Sequence, residues 1–210
     1  MKTYPCFGLH ATYQKNVKET LQACLQHIPS QLEPKRRLWL TADEHYNHEK
    51  ILHYMKRPFS SVEEMNRYLV SEHNKHVGTE DWTIHIGDFL FGDAASFAEV
   101  LAQLNGHHAF LEGNHDSGMK KYFACPFKST RKVLKLPNLY EFSYNHQTIV
   151  LCHYSLHTWR ASHYNSLHFF GHSHGKIPAK HNCRDVGVDT NEFKPLQIET
   201  AISSLPLAIS

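Results

Sequence analysis

The stretch Leu38–His45, LWLTADEH, decides how the rest of the chain is read. Five residues suited to a buried strand run straight into an acid, and a histidine follows two positions later. The same shape recurs along the chain. WTIHIGD (Trp82–Asp88) ends on Asp88, HAFLEGNHD (His108–Asp116) on Asn114, His115 and Asp116, TIVLCH (Thr148–His153) on His153, and LHFFGHSH (Leu167–His174) on His172 and His174. Five β-like runs thus finish on side chains able to bind metal. With 19 histidines in 210 residues, a single histidine means little, and position at a strand end is what carries weight.

In layered α/β folds, ligand sites lie beyond the carboxyl ends of the strands. Side chains two apart on an extended chain point the same way, so Asp43 and His45 are expected to converge, as are His172 and His174. The glycines before Asp88, Asn114 and His172 allow sharp exits from the sheet. Mixed oxygen and imidazole donors suit zinc, manganese or iron, not a calcium cage or a thiolate cluster.

Around these runs the pattern is that of an α/β protein. Ser61-Val62-Glu63-Glu64 is a capping-box pattern, expected to open a helix with Val62, Met65, Leu69 and Val77 roughly on one face and Gly78 as its stop. Ser96-Phe97-Ala98-Glu99 is expected to open another, ending at Asn105-Gly106. Tyr140–Cys152 reads as a hairpin turning near Asn145-His146, and DVGV (Asp185–Val188) as a further strand. Strands alternate with helices early and crowd together late, which points to a mixed sheet or two packed sheets. Residues 1–37 read as an N-terminal extension with one amphipathic helix (Val17, Leu21, Cys24, Leu25, Ile28), and 38–210 as one domain.

Composition narrows the classes. Hydrophobic residues at 41% and charged residues at 20% are ordinary for a globular chain. A net charge of +2 argues against a dedicated nucleic-acid or membrane binder. The five cysteines form no CxxC pair and are odd in number, so neither a disulfide framework nor a zinc ribbon is indicated. No run approaches the roughly 18 apolar residues of a membrane span, and the start lacks a signal-peptide core. The expected setting is cytoplasmic.

The ordered series Asp43-x-His45, Gly87-Asp88, Gly113-Asn114-His115-Asp116, His153 and Gly171-His172-x-His174 resembles the calcineurin-like metallophosphoesterases. DEHYNHEKI, RPF (Arg57–Phe59), EEMN (Glu63–Asn66) and DVGVD (Asp185–Asp189) are similar to small single-domain bacterial and phage members. The resemblance implies a four-layer α/β/β/α sandwich with two packed mixed sheets, and a centre of two divalent ions (Mn2+, Zn2+, Fe or Ni2+). Asp43, His45 and His174 would hold one ion; Asn114, His153 and His172 the other; Asp88 would bridge them. The implied activity is phosphoester hydrolysis by a hydroxide activated between two metals, with His115 as general acid oriented by Asp116.

Alternatives stay open at this level. The same chemistry could act as a nuclease or nucleotide phosphodiesterase, or the fold could serve as a non-catalytic scaffold. His48 either meets the substrate phosphate or buttresses a ligand; Arg57 and Arg160 are candidate phosphate partners. Asp189 is expected to be structural or to support a ligand from behind. The basic segment Lys120–Lys135 could track nucleic acid or be a solvated face; a small phosphoester is the expected substrate. One departure stands out: the family often places an acid or amide three residues after the aspartate of Gly87-Asp88, where this chain has Phe91.

Overall fold

The computed structural model describes residues 36–124 and 133–206. The expected N-terminal helix lies outside them. The first sheet contains β1 (Leu38–Thr41), β2 (Trp82–Ile86), β3 (His107–Leu111) and β4 (Val133–Lys135). The second contains β5 (Leu139–Tyr144), β6 (Gln147–Cys152), β7 (Leu167–Phe170) and β8 (Cys183–Asp185), and β9 (Leu196–Gln197) returns to the first. The spatial orders are β4-β3-β2-β1-β9 and β5-β6-β7-β8. In the first, β1 to β4 are parallel and β9 is antiparallel; in the second, only the β5–β6 pair is antiparallel. The protein is therefore mixed α/β with two mixed sheets.

Burial explains why these runs are strands. β1, β2 and β7 are buried at every position, as parallel strands covered on both faces must be. Helices α1 (Glu49–Tyr54), α2 (Val62–His76), α3 (Ala94–Leu101) and α4 (Ser117–Ala124) follow the strands of the first sheet, and α5 (Ile198–Ser203) follows β9. Met65 and Leu69 of α2, Phe97 and Leu101 of α3 and Met119 of α4 share one core with Phe89 and Phe110. The cap expected at Ser61 is formed, Ser61 accepting from the Glu64 N–H, while the Glu64 carboxylate reaches one residue further back, to Ser60 N–H at 2.7 Å.

Two expectations shift and a third holds. Helix α3 begins two residues earlier than Ser96, because the Asp93 carboxylate caps it by accepting from Ser96 N–H and Oγ, and it ends at Leu101, well before Asn105. The strand expected at DVGV lies earlier, at Cys183–Asp185, and shares only Asp185 with that run, since Val188–Thr190 curls into a 3₁₀ turn. The Asn145-His146 hairpin is present, both residues having positive φ (47° and 64°), as a tight two-residue turn requires.

Asp81 pins the entry edge of the first sheet. Its carboxylate accepts from the backbone N–H groups of Arg37 and Gly78 and from the Trp39 indole, and pairs with the Arg37 guanidinium at 2.9 Å. Its own carbonyl accepts from His107 N–H at the start of β3. Burial would raise this carboxyl, but the hydrogen bonds and Arg37 win and hold it below the ordinary range. A depressed folded value stabilises above the unfolded pKa of about 3.9 and is lost as pH falls through the folded value. Asp81→Asn is expected to cost about 1–3 kcal/mol at pH 7. Denaturant melts should show the gap to the parent narrowing below about pH 4.

Candidate metal centre

Five of the seven expected ligands leave their strands through an unusual backbone. Asp43, His45, Asp88, His172 and His174 have φ of 57°, 53°, 55°, 63° and 47°. Left-handed non-glycine residues are uncommon and cost on the order of 1–3 kcal/mol each when strained. The expected convergence by strand alternation is thus replaced: the chain curls at both members of each pair. The curls are zipped to one another. Asp43 N–H donates to Gly87 O and His45 N–H to Asp88 O, both at 3.0 Å, while His172 N–H donates to both Asp43 carboxylate oxygens.

Two triads result. Ligand atoms of Asp43, His45 and His174 lie within 4.8 Å of one another, and so do those of Asp88, His153 and His172. Asp88 Oδ2 stands between them, 3.7 Å from His45 Nε2 and 3.5 Å from His153 Nε2. Asn114 joins the second triad, its Oδ1 3.3 Å from His153 Nε2. All seven residues named from the strand ends come together. The closeness depends on Gly113, where a Cβ would lie 2.2 Å from Asp88 Oδ1.

The donor set fits a cation. Burial drives His45 down to about 2, so its imidazole is neutral. Its buried Nε2 has no hydrogen-bond partner and faces the Asp88 carboxylate. Burial, with Asp185, Asp88 and Glu44 nearby, pushes the Asp43 carboxyl well above its usual range despite the His172 N–H. Buried acids and an unpartnered imidazole nitrogen at one place call for positive charge.

Supporting contacts lie behind the ligands. His174 Nδ1 meets Asp189 Oδ2 at 2.7 Å. Asp189 takes a two-pronged pair from Arg57 at 2.8 and 2.7 Å, and Arg57 also donates to the carbonyls of Glu44 and Asp43. Arg57 is therefore not a phosphate partner. It is 4% exposed and its guanidinium is consumed in tying the Asp43–His45 loop to His174. His153 is fixed by Nδ1 to Ile86 O at 2.9 Å. Asp185 holds the GHSH loop through Ser173 Oγ and Gly175 N–H.

His115 sits beside the first triad, its ring 5.4 Å from that of His45 and 5.5 Å from that of His48. Its N–H donates to Asp88 Oδ1 at 2.8 Å. Asp116 does not orient its ring. The Asp116 carboxylate accepts backbone N–H groups of Asp88, Phe89 and Gly113, so it shapes the loops after β2 and β3 instead. His48 buttresses a ligand, Nδ1 to Nδ1 of His45 at 3.3 Å. Arg160 is exposed and pairs with Glu141 of β5 rather than with the triads. Lys120 and Lys135 both pair with Glu112, which weakens the basic segment as a nucleic-acid track; residues 125–132 lie outside the described part.

Sequence reading missed several participants. Tyr154, next to His153, is 46% exposed and donates to Asn114 Oδ1 at 3.4 Å. Glu44 sits between two ligands and pairs with His85, which continues to His108. Only adjacency to the motifs could have flagged them.

No family model matches the chain. An uncharacterized protein of Methanocaldococcus jannaschii, MJ1445, is 36% identical over 101 residues, 47% of this chain and 57% of that protein. The chain thus spans little more than half of that relative's length. The crystal structure of AQ665 from Aquifex aeolicus, a protein of unknown function, superposes with a TM-score of 0.59 at 18% identity, covering 80% of this chain and 99% of the other. That likeness extends to the fold: α/β with two packed mixed sheets. Among the described residues, no helix is long and apolar enough to cross a membrane.

Asp189→Asn should weaken the hold on His174 and so lower metal affinity at the first triad by about 10–100-fold, leaving the second triad near its parent affinity. Calorimetric titration with Mn2+ would check this; equal weakening at both triads would contradict the assigned role.

Proposed function

We propose that this chain is a metal-dependent phosphoesterase of the calcineurin-like kind, its two sheets and flanking helices forming a four-layer α/β/β/α sandwich. The observation that carries the reading is the Asp88 carboxylate, shared between two mixed oxygen and imidazole triads. Single structural ion pairs do not call for a carboxylate flanked on both sides by neutral or partnered imidazoles.

Asp43, His45 and His174 would hold one divalent ion, and Asn114, His153 and His172 the other, with Asp88 common to both. When bound, such ions supply charge for phosphoryl oxygens and lower the pKa of water, which is what an anionic ester with a poor leaving group needs. The chain's own residues do the rest. Asp88 Oδ1, by accepting the His115 N–H, couples the ligand loop to the position of the His115 backbone. The His115 imidazole, beside the first triad but outside it, is placed to give a proton to the departing oxygen. Asp116 keeps the loops of Asp88 and Asn114 at a fixed spacing. Buried Arg57 and Asp189 keep His174 from turning away.

Turnover of nitrophenyl phosphate, its bis-ester and single-stranded DNA with manganese, zinc and nickel tests the class. Hydrolysis of none of them by protein holding two ions per chain would sink the proposal. His115→Ala should slow turnover by about 10²–10⁴-fold with metal content retained. Asp88→Asn should lose metal from both triads, read by elemental analysis; loss from one alone would contradict the shared carboxylate.

A further inference from the structure

Phe91 stands where the family pattern leads one to expect an acid or amide, and its surroundings give it a use. It is 52% exposed, yet its backbone is fixed: Phe91 N–H donates to Tyr46 O at 2.8 Å, next to the Tyr46–Leu90 bridge. One side of the ring stacks on His48, 4.8 Å between centroids at 18°. The same ring is 6.3 Å from that of His115. Tyr54, 67% exposed, meets His48 edge-on at 6.5 Å. An aromatic wall therefore rises on the His115 side of the first triad, with the Phe91 ring accessible and held in place.

We infer that Phe91 is a stacking platform for a planar leaving group, so that the substrate class is a phosphoester of a nucleoside or of a similar ring-bearing alcohol. This rests on His115 marking the side from which the alcohol departs. A ring backed by an imidazole and anchored through its main chain loses little freedom when a base lies on it. Stacking of a base on an aromatic side chain is sequence-tolerant, so the platform selects a flat face rather than one particular base. An acid at this position would repel an anionic ester; phenylalanine does not.

The probes are the 5′-methylenephosphonate analogues of adenosine monophosphate and of ribose 5-phosphate. They share the phosphonate and the ribose, differ in the base, and have an uncleavable P–C bond. Calorimetry on the full chain loaded with Mn2+ should show the adenosine compound binding about tenfold more tightly. In Phe91→Ala the ratio should fall to about one, and Phe91→Trp should keep it, as expected for ring stacking. Equal affinities in the parent, or an unchanged ratio in Phe91→Ala, would overturn the platform. Hydrolysis of adenosine monophosphate is measured separately. Base-dependent binding without hydrolysis of adenosine monophosphate, nitrophenyl phosphate, its bis-ester or DNA would sink the phosphoesterase reading and leave the platform standing; hydrolysis without base dependence would do the reverse.

Discussion

The two oxygens of Asp88 have different duties, and the arrangement of the centre depends on that division. Oδ1 is occupied by the His115 N–H, and Oδ2 faces His45 and His153. Burial alone would raise this carboxyl, yet the hydrogen bond and charge of His153, with the His115 N–H, hold it down at about 2. The result is a fixed negative charge at the seam between two sheets. Asp116 secures it from behind through the Asp88 N–H, and Gly113 leaves room for it. Neither neighbour touches the first triad, but both determine where the shared oxygen lies.

Much of this was legible in the chain. The seven strand-end candidates that come together stand out in the sequence because each follows a buried run, a pattern that survives without knowing which sheet a strand joins. The sequence did not reveal that β1, β2 and β3 belong to one sheet and β6 and β7 to the other, so the site lies across a seam rather than along one edge. The left-handed curls were also hidden. Alternation along a strand and a tight curl can bring the same two residues together, and residue identity alone does not separate them.

Long-range partners were harder still. Arg57 looked like a phosphate contact because a basic residue near a motif resembling that of phosphoesterases invites that role. Its true partner, Asp189, is 132 positions away, and no local pattern announces a pair at that separation. Asp116 misled in the opposite way: adjacency to His115 suggested a contact that the loop's backbone hydrogen bonds had already claimed.

The His172 N–H contact to the Asp43 carboxylate spans 129 residues, and it has a thermodynamic meaning for the whole chain. The triads do not exist in the unfolded protein, where their members are scattered from position 43 to position 174. Any free energy released by cation binding is therefore also free energy of folding. An ion held there would act as a clasp joining the two sheets, and its charge would offset the mutual repulsion of the acids gathered at their seam.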